Sequence, residues 1–250
     1  MKFIHFQDKT SMIVISQNEE SELGKSLIEK YMKIRLDFVK AMGWLPNATD
    51  DTDNYDKDPS TKYYLKLVEN EIVVGMRSTK SQWKKGLSFS MINNNPKLKD
   101  QLIEKLNSNE YKQYYNHNFW DVSRLVIPIL SKTDEKYIEY KRLMLPSLVQ
   151  IFGLAIKETT SEDKNGLWIG CLTTKILEFL QTCGFCLEVL VSDYFTSGDD
   201  DKSHLCIGFP NLSIETMKNP NHASNGIYKL LLSPIFEENL QLNQNLSAKL

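Results

Sequence analysis

The sequence predicts an α/β or α+β fold, with helices and strands alternating around one mixed sheet in a single domain. Three observations carry that reading. The patterns run helix, hairpin, helix, strand, helix, strand, helix, strand, strand. The run FWDVSRLVIPI at Phe119–Ile129 is β-branched and aromatic, as a central strand requires. No Pro/Gly/Ser-rich linker, repeat or low-complexity tract divides the chain, so 1–250 reads as one domain, with a core over about 20–210 and a polar tail over 211–250.

Each element follows from local pattern. Leu27, Tyr31, Ile34, Phe38 and Met42 recur at helical spacing within residues 20–42. Gly43 and Trp44 end that helix, and Pro46 and Asn47 turn the chain into an acidic loop of Asp50, Asp51, Asp53, Asp56 and Asp58. Lys62–Val68 and Ile72–Ser78, broken by Glu69-Asn70-Glu71, form a hairpin. Leu98, Leu102, Ile103 and Leu106 give a helix over Pro96–Leu106 one apolar face. Tyr137–Glu158 is helical, with Pro146 as a kink or start. A strand (Gly166–Leu172), a helix (Thr173–Thr182) and two strands (Phe185–Ser192, His204–Phe209) follow, and the segment from Ser213 onward is polar and partly helical.

Composition narrows the class. A chain of 250 residues buries about 70–75% of its unfolded surface, so a core forms without staples. Its 11 Phe, 11 Tyr and 4 Trp exclude a disordered chain. A net charge of −2 argues against a dedicated nucleic-acid binder. No apolar run is long enough to span a bilayer, and Asp8 and Lys9 interrupt any secretory signal, so the expected location is the cytoplasm. Cys171, Cys183, Cys186 and Cys206 read as ordinary buried cysteines. Cys183-Gly-Phe-Cys186 has redox spacing but follows a helix, where the dipole has the wrong sign, and the further ligands of a zinc site are missing.

Three places hold residues suited to chemistry. On the Phe119–Ile129 strand, Asp121 and Ser123 point one way, and Arg124 points the other unless a bulge intervenes. Buried polar groups need partners or a task, so this is either an Asp–Arg pair that holds the sheet or the floor of an active site. Asp53 and Asp56 either bind a metal or a substrate ammonium, or belong to a solvated loop. Arg77 either neutralises that loop or grips a carboxylate bidentately.

Together these residues resemble the acyl-homoserine lactone synthases, the autoinducer synthases of quorum sensing. The resemblance rests on Phe38 and Trp44 six apart, Asp53-x-x-Asp56, Gly75-Met76-Arg77 and Trp120-Asp121-Val122-Ser123-Arg124, in the family's order over residues 31–127. The stretch TTKILEFLQTCGF at Thr173–Phe185 resembles the family's C-terminal helix, which extends the likeness to roughly two thirds of the chain. This sequence departs from the pattern at several points. Asp121 stands where the family has Glu, Arg35 is one position from the family's first Arg, Leu125 replaces an aromatic residue, and Asn93, Asn94 and Asn95 lie where a Phe is expected.

The resemblance implies a GNAT-like three-layer sandwich, a twisted mixed sheet with helices on both faces and a V-shaped cleft. It implies an acyltransferase that moves a fatty acyl group from acyl carrier protein to the amine of S-adenosylmethionine, with lactonisation and release of methylthioadenosine. S-adenosylmethionine would be substrate, with no cofactor and no metal. Asp121, Ser123, Arg124 and Asp56 would be catalytic. Trp44, Phe38, Asp53, Arg77, Arg35, Trp120 and Phe152 would bind substrate, and Leu148, Ile151 and Trp168 would help line an acyl tunnel. A bulge near Ser123 would offer N–H donors to the oxyanion. The glycine-free loop LSKTDEKY after Ile129 fits a carrier-protein donor better than coenzyme A. Lys80, Lys84, Lys85, Lys141, Arg142 and Lys157 would dock the acidic carrier. Gly170 lies near the family's acyl-oxidation determinant. Two alternatives share the fold: an N-acyl amino acid synthase using another amine, and a non-catalytic acyl- or partner-binding descendant.

Overall fold

The computed structural model describes residues 1–5, 10–43, 45–82, 88, 96–114, 116–196 and 202–237. The chain opens with a hairpin: β1 (Lys2–His5) lies antiparallel to β2 (Thr10–Ser16), which lies antiparallel to β3 (Lys62–Val68). The sequence pattern omits this opening hairpin. Its two runs are too short for alternation to stand out, and β2 is buried by its neighbours rather than marked by its own period.

Helix α1 (Glu22–Ala41) starts at Ser21, whose Oγ accepts the Gly24 N–H at 3.2 Å. Its most buried line is Leu27, Tyr31, Arg35 and Val39, with Ile34 and Phe38 on the flank. The expected stripe is therefore rotated, and it carries an arginine. β3 leads to β4 (Glu71–Ser81) through Glu69 and Asn70, both with positive φ, the geometry of a tight two-residue hairpin turn.

β5 (Phe119–Val126) and β6 (Leu167–Thr173) run parallel, joined by helix Tyr137–Glu162, whereas β6–β8 and β7–β8 are antiparallel. Here β7 is Leu187–Thr196 and β8 is Lys202–Gly208. Among the described residues the sheet is single, mixed and eight-stranded, in the order β1-β2-β3-β4-β5-β6-β8-β7. Pro146 lies inside helix Tyr137–Glu162, which runs four residues past its expected end.

The chain divides into two compact units. The first holds Met1–Arg77, Arg124–Leu154 and the chain from Leu231 on, and the second holds Ser78–Ser123 and Ala155–Leu230. The first unit packs Ile13 and Ile15 of β2, Tyr63 and Leu65 of β3 and Val126 of β5 against Leu27 and Tyr31 of α1. The second packs helix Pro96–Asn107 and Tyr111 against Phe119, Ile169, Leu205 and Ile207. Tyr228, Leu232 and Ile235 are buried, as is β2, so buried side chains extend beyond 20–210 at both ends. Residues of helix Pro210–Lys218 are buried too, so over the described residues up to 237 polar composition past 210 does not mark a peripheral tail.

Candidate functional site

The acidic loop of the first unit folds on its own carboxylates. Asp53 caps the 3-10 turn Asn54–Lys57, accepting the N–H groups of Tyr55 at 2.9 Å and Asp56 at 3.2 Å. Asp56 accepts the Asp53 N–H in return at 2.9 Å. The Asp53-x-x-Asp56 spacing is thus a reciprocal capping box that fixes both carboxylates before any cation arrives.

Three guanidinium groups close on this turn. Arg35 donates through Nε to Asp51 at 2.8 Å, and through Nη1 and Nη2 to the two Asp56 oxygens at 2.8 and 2.9 Å. It also reaches the Asp51 carbonyl. Arg77 bridges Asp53 and Asp56, both at 2.7 Å. Arg124 reaches Asp53 at 3.0 Å and Asp51 at 3.3 Å. Three arginines therefore meet three aspartates, a neutral cluster. Charges this buried are tolerable only when each is paired and hydrogen-bonded.

The cluster has an inside and an outside. Arg35 and Arg77 are fully buried and the Asp51 and Asp56 side chains 3% exposed, whereas Arg124 is 25% and Asp53 18% exposed. Arg124–Asp53 is the outer pair. Burial alone would raise the Asp56 carboxyl, but the Arg35 hydrogen bond and the Arg77 and Arg35 charges outweigh it and hold it at about 2. Burial likewise opposes the Arg77 and Arg124 contacts at Asp53, and the contacts win, so its carboxyl lies below the usual range.

Arg124 has φ +57, a left-handed conformation inside β5. This is the local irregularity that strand alternation requires if Arg124 is to turn toward the acidic loop. Its carbonyl accepts the Tyr31 hydroxyl at 2.7 Å. Its Nε is buried without a hydrogen-bond partner among the described residues. Tyr63 donates to Gln17 at 2.8 Å and lies near the Asp56 carbonyl at 3.3 Å.

The other candidates fall elsewhere. Phe152 is buried on the first unit's part of helix Tyr137–Glu162, and Phe38 is half-buried on α1. In the second unit Asp121 is buried and accepts the Ser88 N–H at 2.7 Å, and Ser123 is half-buried. Trp120 is buried with the Lys80 ammonium 5.2 Å over its ring, and Trp168 donates to Thr159 at 2.9 Å. Gly170 lets β6 approach β5: an added Cβ would lie 2.7 Å from the Val122 carbonyl oxygen. Lys141 and Arg142 are exposed, and Lys157 is half-buried. Trp44, Lys84, Lys85, Asn93, Asn94 and Asn95 lie outside the described residues.

The first unit therefore brings together Arg35, Asp53, Asp56, Arg77 and Arg124. Sequence reasoning missed Asp51 and Tyr31 as members. The available signal was Arg35 itself: a charge at the centre of a buried stripe demands carboxylates nearby. The solvated-loop reading of Asp53 and Asp56 changes as a result. Asp50 is exposed and bonds Thr52, whereas Asp51, Asp53 and Asp56 are bound to guanidinium groups. Among the described residues no group of His, Cys, Asp and Glu side chains is arranged to hold a metal ion, and no helix is long and apolar enough to cross a membrane. Cys183 and Cys206 are buried, and Cys171 and Cys186 are only half-buried, which corrects the expectation for those two. Burial pushes the Cys171 and Cys206 thiols up to about 12.

No family model matches the chain, and no curated protein matches it in sequence. Solved structures are similar in fold. The AHL synthase LasI superposes with a TM-score of 0.52 at 18% identity, over 79% of this chain and 90% of LasI. BjaI, a CoA-dependent acyl-homoserine lactone synthase solved with SAM and isopentyl-CoA, gives 0.55 at 14% identity, over 88% of this chain and 98% of BjaI. FeeM, an N-acyl amino acid synthase from uncultured soil microbes, gives 0.50 at 10% identity, over 85% of this chain and 98% of FeeM. At these identities the likeness establishes the fold: a GNAT-like α/β fold matching those of acyl-homoserine lactone synthases.

Proposed function

We propose that this chain is an N-acyltransferase that moves a fatty acyl group from acyl carrier protein to the amine of S-adenosylmethionine and releases an acyl-homoserine lactone. The observation that carries the reading is the neutral arginine–aspartate cluster with its outer Arg124–Asp53 pair. An α-amino acid brings one ammonium and one carboxylate. It can exchange with one outer ion pair, ammonium to Asp53 and carboxylate to Arg124, without changing the cluster's net charge. The buried Arg124 Nε is a spare donor for that carboxylate. The inner members Arg35, Arg77 and Asp56 are the frame.

Asp56 is poorly suited to take a proton, because its carboxyl is held at about 2. Asp121 is assigned that role. The deprotonated amine attacks the thioester carbonyl, the C–S bond breaks, and the carrier leaves as a thiol with an amide formed. The substrate carboxylate oxygen then attacks the carbon bearing the sulfonium; that C–S bond breaks and methylthioadenosine leaves. Backbone N–H groups near Ser123 and Arg124 are assigned to the oxyanion. Trp44, Phe38, Trp120 and Phe152 are assigned to apolar contacts with substrate.

A second reading is an N-acyl amino acid synthase with another amine. Asp121 in place of Glu and the shared fold with FeeM favour it. The test is to mix purified protein with S-adenosylmethionine and acylated carrier proteins, with acyl-coenzyme A in parallel. Methylthioadenosine should appear in step with acyl-homoserine lactone from the carrier-bound donors. Acyl amides without methylthioadenosine would transfer the assignment to the second reading. Ligand binding without product would make the chain a non-catalytic descendant.

A further inference from the structure

We infer that Tyr31 is a positioning residue for Arg124: its hydroxyl holds the Arg124 peptide left-handed and so aims the outer guanidinium. The inference deepens the reading above, and its activity arm rests on that reading.

Arg124 sits at φ +57, where the Cβ of an L-residue crowds the backbone, so the conformation needs an external hold. Two contacts supply one. At one end, the guanidinium pairs with Asp51 and Asp53. At the other, the carbonyl accepts the Tyr31 hydroxyl at 2.7 Å. The second contact acts on the peptide itself, and it persists when a ligand takes the guanidinium away from Asp53.

Tyr31 is suited to the task because its ring has little freedom. It is wholly buried. One ring edge lies over Gly75, where an added Cβ would fall 2.6 Å from Cδ2 and 2.8 Å from Cε2. The ring also meets Tyr63 edge-on, centroids 5.5 Å apart. Burial raises the phenol to about 12, so the donor keeps its proton at neutral pH. Arg35 lies one turn further along α1, 5.9 Å from the Tyr31 ring. One helix thus supplies both the clamp on Asp51 and Asp56 and the hold on the Arg124 backbone.

Tyr31→Phe tests the assignment, since it removes the hydroxyl and keeps the ring. The variant should fold, and its crystal structure should show Arg124 returned to negative φ. With activity established, the KM for the amine should rise about tenfold, the equivalent of one hydrogen bond. The KM for the acyl donor and kcat should stay within about twofold. In an Arg124→Ala background Tyr31→Phe should have no further effect on the amine KM, because two residues acting through one contact are not additive. The inference is overturned if Arg124 stays left-handed in Tyr31→Phe, or if the amine KM is unchanged, or if it rises equally without Arg124. Should no amine and donor react at all, the functional reading fails separately, and the crystal structure alone decides this one.

Discussion

Strand β5 supplies polar residues to both units of the molecule, and the two are held differently. In the first unit Arg124 joins a cluster in which three carboxylates meet three guanidinium groups, so charge is held by mutual pairing. In the second, Asp121 is buried on the strand with the apolar Trp120 and Val122 as its sequence neighbours and accepts a backbone N–H from Ser88. A neutral cluster of paired buried charges depends on each of its members. The proposed function assigns the two groups different tasks, holding a charged substrate and taking a proton, which sequence alone merges into a row of aspartates.

The largest expected effect breaks the first arrangement. Arg35→Ala leaves Asp51 and Asp56 buried without their bidentate partner. Removing one partner of a buried ion pair costs about 3–5 kcal/mol, a large share of the 5–15 kcal/mol that holds a typical domain. Urea unfolding should show that loss. A variant within about 1 kcal/mol of the parent would mean the cluster contributes little to folding. The second effect isolates Asp121. Asp121→Asn keeps the shape and the acceptor for Ser88 and removes the proposed base. Turnover should fall about 10²- to 10⁴-fold with the thermal midpoint nearly unmoved. A variant that loses structure along with activity would return Asp121 to the role of a structural partner.

These contrasts also explain what the sequence reveals. Asp53 and Asp56 were legible as two carboxylates three residues apart after a helix, and the capping box that this spacing closes is local physics. Arg77 and Arg124 were legible from their order along the chain. Asp51 was not, because its partner Arg35 lies 16 residues away and nothing local marks the pairing. Tyr31 was legible as an apolar stripe residue but not as a donor, since its acceptor is a carbonyl 93 residues on. The opening hairpin and the buried Leu232 and Ile235 were missed for a related reason. Short or polar segments become core only through what they pack against, which periodicity does not record.

The smallest of the three effects sharpens the comparison through pH. Asp56 titrates at about 2 in the folded chain against an ordinary 3.8. A depressed carboxyl contributes stability that is fully present above its unfolded value and is lost as pH falls through its folded one. The window is therefore about pH 4 down to about pH 2, and the loss is on the order of 2 kcal/mol. Asp53 shifts in the same direction, but it is more exposed and water screens its share. Urea midpoints at pH 5, 4 and 3 should decline in the parent. The decline should flatten in Asp56→Asn, which carries no carboxyl to titrate at that position. An unchanged acid slope in Asp56→Asn would mean that acid destabilisation comes from carboxylates outside the cluster. The cluster's saturation would then be geometry without a corresponding preference for the ionised state.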